Sequence, residues 1–314
     1  MSYITNSFLK KDKNVLLFNV FIKNNKLYLI VPIGTNKSKI KIIYNSNELI
    51  CSEEIQKHMN EATQIIIYDF YFDSEDTYKI TISINEQTKV FMLKHEKTYK
   101  NKKLALTTLF KDDYKLNKIF YDYYKKQGIQ HFYMYYNGKI TDEIKKYFDK
   151  EDITLLEWDY IYEKPGMYSA HYAQPAQMHD AIYRFGKDNY EYLLFCDLDE
   201  YLHIENQKLI NLVSDTSIDT FGFHNLWSNT KDFIIPDKFP NEFYVSENLC
   251  GFKNRSKCIH KMDSVVYIDI HKGSKYKSKE INLKHEKKYI MFHFSSWSRL
   301  DRKEKTYKLF NYEP

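Results

Sequence analysis

The stretch YLLFCDLDE, residues 192–200, carries the strongest signal in the chain. Its first five residues are apolar and predict a buried β-strand, which Asp197, Asp199 and Glu200 follow at once. Open α/β sheets bind ligands at the carboxyl ends of their strands. Carboxylates suit Mg²⁺ or Mn²⁺, which keep coordination positions free for substrate phosphates. The stretch therefore predicts a site for a metal-bridged nucleotide diphosphate, and the alternative is a solvated acidic turn after a buried strand.

The bulk composition limits the class of protein. The 314 residues suffice for one large domain or two ordinary ones, and 43% hydrophobic with 28% charged residues is typical of a soluble globular protein. The net charge is +5, but acidic and basic residues are interspersed, so no nucleic-acid partner is predicted. No apolar segment predicts a membrane span, and the polar start lacks a secretion signal, so we expect a cytoplasmic protein. The four cysteines lack the spacing of a zinc or redox site.

The N-terminal part of the chain is rich in short β-strand patterns. Runs of Val, Ile, Phe and Tyr alternate with turn-like polar pieces, at a spacing that predicts an antiparallel β-sandwich of about 90 residues. The expected strands are residues 14–22, 27–33, 39–44, 64–72, 78–84 and 88–93. We assign this all-β domain to residues 1–97.

A polar, basic stretch, residues 95–103, predicts a linker to a second domain, residues 98–314. Strand and helix patterns then alternate, which predicts a mainly parallel sheet with helices on both faces. The expected strands are residues 104–110, 129–136, 153–158 and 192–196, and the expected helices are residues 114–127, 140–149 and about 175–185. Gly128 is predicted to end the first helix as a left-handed cap. The acidic residues then follow the fourth strand.

This arrangement resembles the GT-A glycosyltransferases, and within them most resembles the glycosyltransferase family 92 and family 2-like group. Four short stretches carry the likeness in order: LNKIFYDYYKKQGIQHFYMYY at 116–136, QPAQMHDAIYR at 174–184, YLLFCDLDEYL at 192–202 and HFSSWSRLDRKEK at 293–305. Where the group has an Asn-Asp pair, this chain has His179-Asp180. The likeness covers about residues 104–308 and leaves the N-terminal domain outside.

The resemblance implies a GT-A fold and a transferase activity. A sugar would pass from a nucleotide-diphosphate donor, with a UDP-sugar favoured, to a hydroxyl of a glycan, glycoprotein or glycolipid acceptor. Mn²⁺ or Mg²⁺ would assist, and the group typically inverts the anomeric centre. These are expectations from the likeness, since no part of the sequence shows them by itself.

The expected metal ligands lie in two distant segments. Asp199 is the first candidate, and Asp197 is the second, acting either on the metal or on the donor ribose and sugar. The resemblance favours His293, in an apolar strand, as a later ligand of the metal or diphosphate; the alternative is a core histidine. Glu200 is expected either to touch a substrate sugar or to pair with a neighbouring base.

Further candidates for donor binding are less sharply defined. Thr107, Thr108 and Asp112 end or follow the first strand, where GT-A folds usually hold the base and ribose; the alternative is ordinary turn chemistry. Lys257 can contact a diphosphate as a point charge, or be basic surface. His271 ends a strand pattern and can meet either substrate, or be a surface histidine.

The helix before the acidic stretch contributes three more candidates. Asp180 and Arg184 are four residues apart, so they share a helix face. Asp180 can reach the nucleotide, or the two side chains can form an intrahelical ion pair. Gln174 leaves the same choice between substrate and structure.

An inverting enzyme also needs a general base near the acceptor hydroxyl. Asp232, Glu242 and Glu247 lie in the segment where such a base is expected, and no feature of the sequence selects among them. Trp227 and Trp297 can stack on sugar rings, although tryptophan more often packs half-buried.

Two other functions compete with sugar transfer. A nucleotidyl or phosphoryl transferase would use the same carboxylates, but no Gly-rich phosphate loop is present and the chain has only eight glycines. A carbohydrate-binding module with an inactive transferase domain is the second alternative. Because Asp197 and Asp199 are both present, an inactive domain is disfavoured.

Overall fold

The computed structural model describes residues 2–5, 7–11, 14–55, 63–71, 76–98, 102–162, 173–251, 255–271, 273–298 and 308–312. The N-terminal part consists of strands and one 3-10 turn, Lys37–Lys39. The strands are β1 Ser2–Thr5, β2 Leu9–Lys11, β3 Asn14–Leu17, β4 Asn19–Lys23, β5 Lys26–Pro32, β6 Ile40–Tyr44, β7 Asn47–Glu48, β8 Cys51–Ile55, β9 Thr63–Asp69, β10 Tyr78–Ile84 and β11 Gln87–Leu93.

Two four-stranded antiparallel sheets build the sandwich, in the orders β4-β5-β9-β8 and β11-β10-β6-β7. In β10, every second residue is buried, and Ile80 and Ile82 pack across the sandwich against Leu27 and Leu29 of β5. This alternation is the pattern of a strand with one face on a core. The predicted all-β region is therefore confirmed.

The sheet that contains β5 is covered on both faces. Its second face contributes Phe18, Ile30 and Ile65 to a core that also contains Trp158 and Ala176 of the α/β part. A strand buried on both faces reads as a continuous apolar run, and β5 has that sequence, KLYLIVP. The sandwich is thus one side of a shared core rather than a free module.

The rest of the chain alternates strands with helices as far as residue 195 and consists mainly of strands after it. The helices are α1 Asn117–Lys126, α2 Asp142–Tyr147, α3 Ala173–Asp180, α4 Leu209–Leu212 and α5 Ser295–Ser298, with 3-10 turns at Tyr114–Leu116 and Lys231–Phe233 and a π-helical stretch at Ala181–Gly186. The strands are β12 Lys102–Phe110, β13 Phe132–Tyr136, β14 Ile153–Glu157, β15 Tyr190–Phe195, β16 Glu200–Ile204, β17 Thr220–Asn229, β18 Glu242–Val245, β19 Lys257–Lys261, β20 Val265–Ile268, β21 Gly273–Tyr276, β22 Leu283–His293 and β23 Lys308–Asn311.

One large mixed sheet runs through this part, in the order β1-β14-β13-β12-β15-β19-β17-β18-β23, with β22 joining β17 to β16. The first five strands in that order are mutually parallel, whereas the later pairs are antiparallel except β17–β22. This mixed sheet is compatible with the prediction. Because the order β14-β13-β12-β15 reverses the chain sequence between β12 and β15, a crevice is expected at the carboxyl ends of these two strands.

Strand β1 departs from the expected organisation. The boundary at residue 97 assigns it to the sandwich, whereas it pairs in parallel with β14, with Tyr3 opposite Leu155. This strand has only four residues and its partner is about 150 residues away in the sequence. A local sequence pattern therefore could not predict the pairing.

Helices cover both faces of the sheet, as predicted. Phe120 and Tyr124 of α1 pack on the face that contains Leu106 of β12, and Ala176 of α3 packs on the opposite face. Gly128 lies two residues after the last residue of α1; its φ is +91°, and a Cβ there would lie 2.5 Å from Ile210. The predicted left-handed cap is confirmed, and the close contact is a second reason for glycine there.

Candidate functional site

The acidic stretch forms a tight turn between β15 and β16. The Asp197 carbonyl accepts a hydrogen bond from the Glu200 amide at 3.1 Å, and Glu200 Oε2 accepts one from the Asp197 amide at 2.7 Å. The Asp197 side chain is 39% exposed, whereas Asp199 and Glu200 are buried. A solvated acidic turn therefore describes only the first of the three carboxylates.

Strand pairing brings His293 to this turn. The residue opposite it in the β16–β22 ladder is Glu200, and His293 Nε2 lies 3.6 Å from Asp199 Oδ2. Asp199 is held at both ends, because its carbonyl accepts from the Phe294 amide at 2.8 Å and its Oδ2 accepts from the Ser298 hydroxyl. Ser298 was not among the sequence candidates; it lies within the matching stretch that begins at His293.

A buried lysine lies between two of the carboxylates. Lys257, on the strand next to β15, has its Nζ 3.1 Å from Asp197 Oδ2 and 3.2 Å from Glu200 Oε2. The other Asp197 oxygen accepts from Gln174 Nε2 at 3.1 Å, and Gln174 Oε1 accepts from the Tyr162 hydroxyl at 3.0 Å. The structure thus brings Lys257 and Gln174 to the acidic turn.

The charges in the pocket depend on one another. Burial favours the neutral form of Asp199, but His293, Ser298 and Lys257 outweigh it and lower the pKa of this carboxyl. Burial opposes a charged His293, yet Asp199 and Glu200 raise its pKa. Burial and the charge of Asp197 raise the pKa of Glu200 to about 7, against the opposing effect of Lys257. Asp199 is therefore ionised at neutral pH, beside an imidazole that is more basic than usual.

The donor set fits a hard divalent cation as a partial site. In the described part of the chain, no group of three or more His, Cys, Asp or Glu side chains could hold a metal. Asp199 Oδ2 and His293 Nε2 offer one oxygen and one nitrogen. The other ring nitrogen of His293, Nδ1, lies 3.8 Å from Glu200 Oε1 and has no hydrogen-bond partner among the described residues. Mg²⁺ commonly takes one or two protein ligands and completes its shell with water and substrate phosphates. Both Asp197 oxygens already contact Gln174 or Lys257.

The loop after β12 contributes an acid that the sequence interpretation missed. Asp112 is exposed, whereas Asp113 is half-buried and its Oδ1 accepts from the Lys111 amide at 3.1 Å. Burial and the charge of Asp199 raise the pKa of Asp113 to about 7. No feature of the sequence separates these neighbouring aspartates. The structure places their loop after the carboxyl end of β12, and Asp113 is close enough to Asp199 for the charge of Asp199 to act on it.

The two threonines of β12 differ in their contacts. Thr107 Oγ1 donates to the Tyr133 carbonyl at 3.0 Å and accepts from Gln177 Nε2 at 2.7 Å, so it holds β12 to its neighbours. Thr108 is also buried, but its Oγ1 has no hydrogen-bond partner in the described ranges. Successive strand residues face opposite sides of a sheet, which explains the difference.

Asp180 and Arg184 contact the N-terminal sandwich. Asp180 has no exposed surface; one of its oxygens accepts from Asn19 Nδ2 and the other from the Tyr135 hydroxyl, each at 2.7 Å. Arg184 donates to Glu96. These contacts join the helix to the sandwich, and we leave both residues out of the proposed site.

His271 contacts Ser256, the residue before Lys257. Its Nδ1 is 3.2 Å from the Ser256 carbonyl, and its own carbonyl accepts from the Ser256 hydroxyl at 3.3 Å. Burial, followed by the charge of Lys257, lowers the pKa of this imidazole to about 4. His271 is therefore neutral at physiological pH and half-buried rather than a surface group.

The two tryptophans have different surroundings. Trp297 is buried and stacks on Phe294, with 4.1 Å between the ring centres. It therefore belongs to the core and is not available to stack on a sugar ring. Trp227 is half-buried and stacks on His293 at 4.6 Å, and the Arg255 guanidinium lies 5.3 Å from its ring centre. Trp227 thus supports the orientation of His293.

The candidate bases are all exposed, but they differ in position. Glu247 follows Ser246, whose amide donates to the carbonyl of Trp227 at 2.8 Å. Trp227 in turn stacks on His293. Asp232 lies two residues after Thr230, whose hydroxyl accepts from the Trp297 indole at 3.3 Å. Glu242 pairs with Asn311 at the opposite end of β18.

An acidic pocket at the point where an α/β sheet reverses its strand order is typical of proteins that bind nucleotides or phosphorylated ligands. The family model described as glycosyltransferase family 92 matches residues 118–312, which is more than half of the chain. The chain belongs to glycosyltransferase family 92. It is therefore a glycosyltransferase, with a sugar donor and an acceptor as partners, and the resemblance seen in its sequence is confirmed.

Other comparisons add little. No curated protein matches the chain. Among solved structures, an amylomaltase from Corynebacterium glutamicum matches at 10% identity, covering 39% of this chain and 21% of its own, with a TM-score of 0.19. A likeness that low carries no argument about fold or activity. No helix within the described ranges is long and apolar enough to cross a membrane.

Proposed function

We propose that this chain uses a GT-A fold to transfer a sugar from a nucleotide-diphosphate donor, with a UDP-sugar favoured, to an acceptor hydroxyl. The reaction takes place at the pocket formed by Asp197, Asp199, Glu200 and His293. The observation that carries the proposal is the meeting of Asp199 and His293, which two strands distant in the sequence bring within 3.6 Å of each other.

Asp199 and His293 are the residues that would hold Mn²⁺ or Mg²⁺ in this proposal. A divalent cation at such a site neutralises the negative charge that grows on the departing diphosphate. Ser298 fixes the orientation of the Asp199 carboxylate through its hydrogen bond, and Trp227 supports the imidazole by stacking. Both ligands are buried, and electrostatic interactions are stronger there than in water.

Asp197 has a different role in the proposal. Gln174 and Lys257 hold its two oxygens, yet the side chain stays partly exposed, so its remaining lone pairs are open to a ligand. A carboxylate oriented in this way accepts hydrogen bonds from the hydroxyls of a donor ribose or sugar. Thr108 and the Asp112–Asp113 loop lie at the adjoining end of β12 and complete the donor side of the crevice.

For an inverting reaction, we propose Glu247 as the general base to test first. Glu247 follows Ser246, whose amide is hydrogen bonded to Trp227, and Trp227 stacks on His293, so Glu247 is the candidate with the shortest chain of contacts to the pocket. Glu242 is three residues before Val245, away from Trp227, and strand residues are about 3.3 Å apart. Glu247→Gln should lower kcat strongly with little change in donor affinity.

Thermal unfolding with Mn²⁺ and UDP tests the donor class. UDP should raise the melting temperature more than ATP does, and more with Mn²⁺ than without it. A panel of nucleotide sugars, assayed for Mn²⁺-dependent hydrolysis, then identifies the donor. Equal stabilisation by UDP with and without metal would overturn the metal-dependent part of the proposal, and no response to any nucleotide sugar would overturn the donor class.

A further inference from the structure

Lys257 is a cation enclosed among three carboxylates. Its side chain is 4% exposed, and its Nζ contacts Asp197 and Glu200, while Asp199 lies between these two residues in the sequence. Burial opposes a charged lysine, but Asp197 and Glu200 outweigh it and raise its pKa, so Lys257 is protonated at neutral pH. The pocket therefore carries a permanent internal positive charge.

A structural ion pair explains only part of this arrangement. The contact with Glu200 is fully buried, and apolar residues of similar volume are often as stabilising as such a pair. Lys257 also contacts Asp197, whose side chain is 39% exposed in the turn that follows β15. One end of the contact network is thus accessible to a ligand.

The charge of Lys257 acts in opposite directions on the two ligands of the proposed reaction. Without it, the carboxylates would attract a divalent cation more strongly and would repel a diphosphate more strongly. A pocket that must accept both ligands needs an intermediate charge.

We propose that Lys257 is a built-in counter-charge that sets the balance between metal affinity and diphosphate affinity at this site. This inference rests on the proposed function. Lys257 is a positioning residue, because it acts through Asp197 and Glu200 rather than by contact with the reacting atoms.

The test compares Glu200→Gln with the double variant Glu200→Gln/Lys257→Met. Because residue 200 is an uncharged glutamine in this background, removing the lysine leaves no buried carboxylate without its partner at that position. Both proteins are therefore expected to fold. The probes are Mn²⁺ alone and UDP alone, with dissociation constants measured by calorimetry. Adding Lys257→Met should tighten Mn²⁺ binding about ten-fold and weaken UDP binding about ten-fold, the effect of one nearby unit charge.

Conservative replacement is the matched control. Glu200→Gln/Lys257→Arg keeps the charge and should bind both probes as Glu200→Gln does. Parallel weakening of both probes in the methionine variant would show a purely structural role and would overturn this inference alone. A wild-type protein that binds neither probe, separately or together, would overturn the proposed function and the inference with it.

Discussion

Two clusters of buried polar side chains lie toward opposite ends of helix α3, and they differ in how completely they are satisfied. At the C-terminal end, Asp180 is fully enclosed and both of its oxygens accept hydrogen bonds from protein groups. At the N-terminal end, Gln174 donates a hydrogen bond to Asp197, which stays partly exposed. In the same pocket His293 Nδ1 lies 3.8 Å from Glu200 Oε1 and has no hydrogen-bond partner in the described part of the chain.

This difference separates structure from function. Burying a polar group without a partner costs about 1–3 kcal/mol, so most buried polar groups are paired. The saturated cluster around Asp180 joins the sandwich to the sheet. The cluster around Asp199 retains open positions, which a ligand can fill.

The largest effect is expected from Asp199→Asn. The substitution keeps the shape but removes the charge beside His293, so kcat should fall about a thousand-fold, at the upper end of losses of a single electrostatic group. Initial rates with the identified nucleotide sugar measure it.

Asp237→Asn is the matched control, because Asp237 is exposed in the loop before β18 and is not among the residues of the proposed site. Its activity should equal that of the wild type. A fully active Asp199→Asn enzyme would remove the distinction between the two clusters.

The saturated cluster should respond in stability instead. Asp180→Ala leaves Asn19 and Tyr135 without their acceptor, so the free energy of unfolding should fall by about 3 kcal/mol. Asp180→Asn should cost much less, because the amide retains an acceptor. Urea denaturation measures both variants. If Asp180→Ala instead lost UDP binding at unchanged stability, Asp180 would belong to the donor site.

His179 tests the interior of α3 between the clusters. Its Nε2 accepts from the Ile268 amide at 3.2 Å and its Nδ1 donates to the Pro175 carbonyl at 2.6 Å, so the ring is neutral. Burial lowers its pKa from 6.5 to about 4. Between these values only the unfolded chain binds the proton, so stability falls as the pH falls, by about 1.4 kcal/mol per pH unit.

His179→Gln should remove that contribution from the pH dependence of unfolding between pH 6.5 and 4, so the slope of stability against pH should be smaller than that of the wild type. Denaturation curves at several pH values give the comparison. An identical slope in His179→Gln and the wild type would mean that this ring is not held neutral in the folded protein.

The smallest effect is expected from Gln174→Ala. Asp197 loses one of the donors that orient it but keeps Lys257, so the Kd for UDP in the presence of Mn²⁺ should rise about five-fold, as for one hydrogen bond. Calorimetry checks it. Unchanged UDP affinity would mean that Gln174 belongs with the saturated cluster.

Local patterns predicted much of the fold. Residues 192–196 form a buried strand, Gly128 ends α1, and the four expected parallel strands are all present. These features depend on hydrophobic periodicity and on single residues that permit a special backbone conformation. Both can be recognised from a short stretch of sequence.

Contacts between residues far apart in the sequence could not be predicted from local patterns. Asp180 and Arg184 share a helix face, but their partners Asn19 and Glu96 lie far away in the sequence. The parallel pairing of β1 with β14 is equally invisible to a local pattern. The short distance between His293 and Asp199 is likewise set by the register of two distant strands. His293 was therefore predicted as a ligand only from the family resemblance.

Anomalous diffraction from crystals grown with Mn²⁺ and UDP tests the central claim most directly. We predict a manganese peak bound by Asp199 and His293, with the UDP phosphates completing its shell and Asp197 facing the ribose. A manganese ion bound elsewhere, or UDP bound away from the ends of β12 and β15, would contradict the account.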